Sequence, residues 1–306
     1  MNSRSNPNSN SGSFLLKRTA FLGVVCVLIA AIVLLSAKSL LANSSVGSDK
    51  SSGTAGGAVT STEDGKLIIN DLYSGQRTIP NFKIDLNTYD ADKFLNDQGV
   101  IRYDSEDALL GIDVSSHQGE IDWPTVKASG IDFVMIRAGN RGATRGRLYE
   151  DSYFKQNYEG ATAAGLKVGV YFFSQAITAS EAEEEASYVL QLLMDKKVTY
   201  PVVFDWEPLD GLRTAGVNGE QMTTFANTFC RKIKQAGYTP AVYFNLSQAY
   251  GAYDLEKLKD YDFWLAEYQP VPSFWYDFEI WQYSDNAQVL GINTAVDIDI
   301  SFKKYG

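Results

Sequence analysis

From Leu109 to the C-terminus, short apolar runs alternate with segments of helical periodicity, and this alternation narrows the fold more than any other feature. LLGIDVS (109–115), IDFVMIRAG (131–139), LKVGVYFFS (166–174) and YPVVFDWEP (200–208) read as strands. Between them lie three helical stretches. IDWPTVKASG closes at Gly130, NYEGATAAGL follows the second strand, and SEAEEEASYVLQLLMD (180–195) has Ser180 as its expected N-cap with acids in its first turn. The amphipathic EQMTTFANTFCRKIKQAG then ends at Gly237. Four more strands are expected at YTPAVYFN (238–245), DFWLAEY (262–268), FEIWQY (278–283) and TAVDIDI (294–300). Continuous apolar strands separated by helices belong in a parallel sheet covered on both faces. Eight of them in roughly 200 residues fit a closed TIM-like α/β barrel better than an open doubly wound sheet. The last three are joined by short links without helical pattern, so the barrel is expected to be irregular in its final third.

In such a barrel the working groups sit at the C-terminal ends of the strands. VVFDWEP (202–208) ends in Asp205 and Glu207, two residues apart and therefore on one face. Holding two acids in a segment that should be buried is costly without partners or a purpose. The first strand adds Asp113, and the eighth adds Asp297 with Asp299. Any one of these could be an ordinary solvated or salt-bridged aspartate. Asp113, Asp205, Glu207 and Asp297 together, from three distant segments at one barrel mouth, point instead to carboxylate chemistry.

Composition removes the main rivals. His117 is the single histidine, whereas zinc hydrolases and Ser-His-Asp enzymes depend on well-placed histidines. Cys26 lies in an apolar run and Cys230 in a helical pattern, so no disulfide framework is expected and Cys230 reads as a small buried side chain. No metal site or cofactor motif is evident. Residues 67–306 carry 34 acidic and 21 basic side chains, the opposite of a nucleic-acid-binding balance.

Residues 19–37, TAFLGVVCVLIAAIVLLSA, are uncharged and almost wholly apolar. About 19 helical residues nearly cross a hydrocarbon core. Lys17 and Arg18 precede the run and should keep residues 1–18 cytoplasmic, placing the rest outside the cell membrane. Ala37-Lys38-Ser39 makes a poor cleavage site, which favours a retained single-pass anchor over a secretory signal. Residues 38–65, rich in Ser, Gly and Thr, read as a flexible tether. Residues 66–108 are strand- and turn-like but too few for much independent stability, so they are expected to pack as an extension on the domain at 109–306.

GIDVSSHQGEIDW (111–123), FVMIRAG (133–139), VVFDWEP (202–208) and WQYSDNAQVLGINTAVDID (281–299), in that order, resemble glycoside hydrolase family 25, the Chalaropsis-type lysozymes. The resemblance implies a (β/α)5β3 barrel. It also implies a muramidase that cuts the β-1,4 bond between N-acetylmuramic acid and N-acetylglucosamine in peptidoglycan strands; the catalytic domain is expected to be monomeric. It further implies active-site roles for Asp113, for the D-x-E acids Asp205 and Glu207, and for Asp297. Glu207 then looks like the proton donor, a role served by a carboxyl whose pKa is raised by apolar surroundings or by the charge of Asp205. Asp205 would orient the substrate's acetamido group or stabilise charge at the ring. Substrate-assisted retention is preferred over a carboxylate-activated water, which would give inversion.

Tyr171, Tyr243, Trp264, Tyr268, Gln282 and Tyr283 are the cleft candidates, since aromatic faces stack on sugars and phenols and amides bond their substituents. Arg137 is expected to pair with the acid cluster, or else to contact substrate. His117 and Gln118 are expected to fix a turn. Relative to the family's usual residues, Phe172 replaces a histidine and Glu267 a glutamine, the latter adding negative charge near the mouth. The alternatives to a muramidase are a non-catalytic wall-binding barrel and a glycosidase acting on a related aminosugar glycan.

Overall fold

The computed structural model describes residues 60–306. The cytoplasmic segment 1–18, the apolar run 19–37, Cys26 and the tether up to residue 59 lie outside the described residues. Among the described residues no helix is long and apolar enough to cross a membrane.

The chain opens with β1 (Thr60–Ser61), β2 (Leu67–Asp71) and β3 (Gly75–Ile79), which form a three-stranded antiparallel sheet. A second hairpin pairs β4 (Phe94–Asp97) with β5 (Val100–Tyr103). The barrel follows as β6 (Leu109–Val114), β7 (Phe133–Arg141), β9 (Lys167–Ser174), β10 (Val202–Trp206), β11 (Pro240–Asn245), β12 (Asp262–Ala266), β13 (Ile280–Ala287) and β14 (Val296–Ser301). The short β8 (Leu148–Glu150) folds back on the end of β7. Pairing of β6 with both β7 and β14 closes the ring.

Among the described residues five α-helices accompany the strands: α1 (Trp123–Ala128), α2 (Phe154–Ala163), α3 (Ala179–Leu192), α4 (Gly219–Gln235) and α5 (Leu246–Gly251). The expected strands and longer helices are present, but the N-cap of α3 is Thr178, whose Oγ1 accepts from Glu181 N at 3.2 Å, and not Ser180. Asn218 caps α4 in a reciprocal capping box with Gln221, which its sequence spacing allows.

The expectation of a parallel sheet holds from β6 through β13 and fails at the last strand. β14 runs antiparallel to both β13 and β6. The cause is the short link after β13, which lacks the dozen or more residues and the helix that a parallel crossover needs. The same antiparallel register sets Asp297 directly opposite Asp113.

Strand alternation divides the apolar residues into two cores. On β10, Val202, Phe204 and Trp206 point outward into the shell shared with the helices, while Val203 and Asp205 point into the barrel. The barrel floor is apolar, with Phe133 stacked on Tyr200 at 4.5 Å and Val203, Ala241 and Ile280 around them. Gly111 is required here, because a Cβ at that position would lie 2.3 Å from the Phe133 ring. A filled floor leaves the polar inward positions nowhere to go but the C-terminal mouth.

No helix links β12 to β13, and residues 69–89 cover the outer side of that connection. Phe82 packs on Tyr276 with ring centroids 5.5 Å apart, and Tyr89 on Phe278 at 5.1 Å. Ile69 and Ile79 are fully buried in the shell core.

Candidate active site

A cavity of about 320 Å³ opens at the C-terminal mouth, within the size range of small-ligand sites. Asp113, Asp205, Glu207 and Asp297 all line it, together with Arg137, Tyr171, Tyr243, Trp264 and Gln282. Ser115, His117, Gln118 and Phe173 complete the wall. Four acids spread over nearly 200 positions of sequence thus meet because three strand ends converge.

Asp205 is almost fully buried, as is Asp113, and its Oδ1 has no hydrogen-bond partner. Burial, and then the charge of Glu207, push its carboxyl well above the ordinary range, opposed by Arg137. Glu207, one step past the end of β10, sits half-buried at the lip. Burial raises it as well, the charge of Asp297 adds to the effect, and Glu207 and Asp205 feel each other's charge across the D-x-E spacing. The D-W-E segment is pinned through its backbone. Gln175 Nε2 donates to Glu207 O at 2.7 Å, Gln248 Nε2 to Trp206 O at 2.8 Å, and Trp206 Nε1 to Ala176 O at 2.9 Å.

Across the mouth, Asp113 and Asp297 form a carboxyl–carboxylate pair. Burial and the charges of Asp297 and Asp299 raise Asp113, while burial raises Asp297 to about 6 and its bond to Asp113 opposes the shift. The two carboxyls therefore share a site in which burial and mutual repulsion oppose full ionisation of both. Gln282 Nε2 donates to Asp113 Oδ2 at 2.7 Å, and its Oε1 accepts from both Tyr243 Oη and Tyr268 Oη at 2.9 Å. Two phenol donors on one oxygen fix the amide orientation. Beneath them Trp264 Nε1 donates to Asp299 Oδ1 at 2.9 Å, so Asp299 is a buried support and not a cavity wall.

Raised carboxyls carry a sign for stability. Asp297 holds its proton more tightly folded than unfolded, so stability falls as pH rises from 3.8 to about 6. Asp297→Asn is therefore expected to raise Tm at pH 7 by about 2–4 °C, the effect of roughly 1 kcal/mol in a chain this size. Calorimetry at pH 7 and below pH 4 checks it: the gain should vanish where both states are protonated.

Several sequence expectations need correction. Arg137 does not pair with the acid cluster; its Nη2 meets Asp151 Oδ2 at 2.6 Å and Ser116 Oγ at 3.0 Å, although the guanidinium still faces the cavity. Tyr283 is not in the cleft. Alternation that turns Gln282 inward turns Tyr283 outward, where its hydroxyl accepts from Ile101 N at 3.1 Å and its ring packs on Trp281. Tyr268 stands at the rim, half-exposed, and meets the cavity wall through the Gln282 amide that it shares with Tyr243. His117 is exposed on the cavity wall.

Glu267 adds no charge to the mouth. Its carboxylate is buried and accepts from Ser273 N at 2.9 Å, Ser273 Oγ at 2.6 Å and Phe274 N at 3.2 Å. Phe172 faces outward against Tyr188 and does not touch the site. Ser115 and Phe173 were missed, although each lies two residues beyond an inward residue, Asp113 and Tyr171, and alternation alone would have found them. Cys230 is a buried free thiol packed in the shell. Among the described residues no group of three or more His, Cys, Asp or Glu side chains is disposed to hold a metal ion.

Comparison with known proteins bears on this arrangement. The family model for glycosyl hydrolases family 25 matches residues 112–292. The autolytic lysozyme of Clostridium acetobutylicum is 32% identical over 193 residues, covering 62% of this chain and 55% of that protein. Lysozyme M1 of Streptomyces globisporus is 32% identical over 204 residues, covering 62% of this chain and 66% of that protein. The chain thus spans between half and two-thirds of the length of these curated relatives. Among solved structures, the modular autolysin LytC of Streptococcus pneumoniae, in complex with a synthetic peptidoglycan ligand, superposes with a TM-score of 0.57 at 23% identity. That superposition covers 78% of this chain and 56% of LytC, and it supports the fold.

Proposed function

Because the chain belongs to glycosyl hydrolase family 25, we propose that it hydrolyses peptidoglycan as a muramidase, at the β-1,4 bond between N-acetylmuramic acid and N-acetylglucosamine. Glu207 is the general acid that protonates the leaving oxygen. Its position at the lip gives it access to a bond lying across the mouth, and burial raises its pKa, the direction that suits a proton donor. Asp205 accepts from the N–H of the substrate's 2-acetamido group and turns the acetamide oxygen onto the anomeric carbon. The observation that carries this reading is the buried, unpartnered Oδ1 of Asp205 beside Glu207, a strong acceptor that the protein itself leaves unused.

Asp113, Asp297 and Gln282 form the opposite wall and hold the developing positive charge of the ring against a fixed negative field. Tyr171, Tyr243 and Trp264 supply aromatic edges and faces for the sugar. The apolar run 19–37 supports anchoring in the cell membrane with the barrel on the outer side, where its substrate lies. Digestion of purified peptidoglycan by the full chain, with products mapped by mass spectrometry, tests the bond assignment. New reducing-end muramic acid is expected. Reducing-end glucosamine or anhydro-muramic products would assign a different glycosidase, and intact glycan would leave a binding barrel.

A further inference from the structure

The β12–β13 connection, 267–279, joins parallel strands without the helix such crossovers usually carry. Residues 71–89 supply hydrogen-bond partners to its backbone and side chains. Asn87 N donates to Trp275 O at 3.1 Å and Asn87 Nδ2 to Phe274 O at 3.0 Å, Phe82 N to Tyr276 Oη at 2.9 Å, and Asp277 N to Asp85 O at 3.0 Å. These contacts come from a segment that lies wholly upstream of the region the family model matches.

The end of this interface nearest the mouth is the most constrained. In the β2–β3 turn, Asp71 Oδ1 accepts from Tyr73 N at 3.0 Å and Ser74 N at 2.8 Å, which fixes the turn and aims Tyr73. Tyr73 Oη then both donates to Val271 O at 2.8 Å and accepts from Val271 N at 3.1 Å, satisfying both polar groups of that residue. Ser273 Oγ lies 2.6 Å from Glu267 Oε1 and 3.1 Å from Asp71 Oδ2. Both clamped residues are within five positions of Tyr268, whose hydroxyl bonds Gln282 and, through it, reaches Asp113.

We propose that the 71–74 turn is a positioning element of the substrate cleft: by clamping Val271 and Ser273 it holds Tyr268 over Gln282, with Tyr73 as the residue through which it acts. The inference rests on reading the cleft as a glycan site. Tyr73 touches no reacting atom; it sets the rim against which the sugar chain lies. The catalytic unit of this chain therefore begins well before the first barrel strand. Loss of the clamp weakens substrate binding while the acids, held from β6, β10 and β14, stay in place.

The test uses the full chain with Tyr73→Phe, which removes only the hydroxyl. Loss of the paired bonds is expected to raise KM for peptidoglycan about five-fold, with kcat changed by less than about two-fold. If Tyr73 acts through Tyr268, that effect disappears in a Tyr268→Ala background, whereas a general loss of stability would persist there. Hydrogen exchange supplies a readout independent of activity: amides 268–275 should exchange faster in Tyr73→Phe, and amides 202–207 should not change. Unchanged exchange at 268–275, or an undiminished KM effect in the Tyr268→Ala background, overturns the clamp. If wild-type chain fails to cut peptidoglycan, the proposed reaction falls and exchange alone decides the clamp.

Discussion

Glu207→Gln is expected to lower kcat by about 10²–10⁴-fold, the range spanned by loss of a general acid, while leaving the fold intact. Folding should survive because the segment is held by bonds to its backbone, from Gln175 to the carbonyl of residue 207 and from Gln248 to that of Trp206. An amide fills nearly the same volume and removes a charge that burial opposes. The pH profile carries the sign. A general acid works protonated, so activity is present below its raised pKa and is lost as pH rises through it. That alkaline limb should be missing from whatever activity remains in the variant. Near-normal kcat with a wild-type limb would move the acid role elsewhere.

Asp205→Asn is the second large effect, with kcat expected to fall by roughly 10²-fold or more and KM changed little, as for a group whose contribution grows at the transition state. The unpartnered Oδ1 means that no protein hydrogen bond is broken by the substitution. What is lost is the carboxyl oxygen proposed to accept from the acetamide N–H. Asp205 and Glu207 titrate together, and removing one negative neighbour lowers the pKa of the other. The alkaline limb should accordingly move to lower pH. A limb that stays fixed, or a loss confined to KM, would show that Asp205 serves only to bind.

The barrel and its four acids were legible because both rest on local pattern. Continuous apolar strands such as VVFDW announce a sheet buried on both sides, and carboxylates within or just after them stand out against it, although Asp297 reaches the mouth from the N-terminal end of the reversed β14. The reversed direction of β14 was not legible, since strand periodicity is the same in either direction and only the link length hints at it. Tyr283 does not join Gln282 in the cleft, because a strand puts successive residues on opposite faces and residue type alone does not say which. Arg137 and Glu267 went astray for another reason. Their partners, Asp151 and the Ser273–Phe274 backbone, come from loops whose paths carry no periodic signal. The contact of Tyr73 with Val271 spans 198 positions and depends on a missing helix, which no local pattern records.

The anomeric configuration of the first-formed product tests the central claim most directly. Proton NMR during cleavage of a soluble peptidoglycan glycan fragment distinguishes the two outcomes before mutarotation mixes them. With Glu207 as acid and the acetamide as internal nucleophile, two displacements occur at the anomeric carbon and the β-configured reducing end appears first. Initial release of the α-configured product would mean direct attack by a carboxylate-activated water, and would contradict the role given to Asp205.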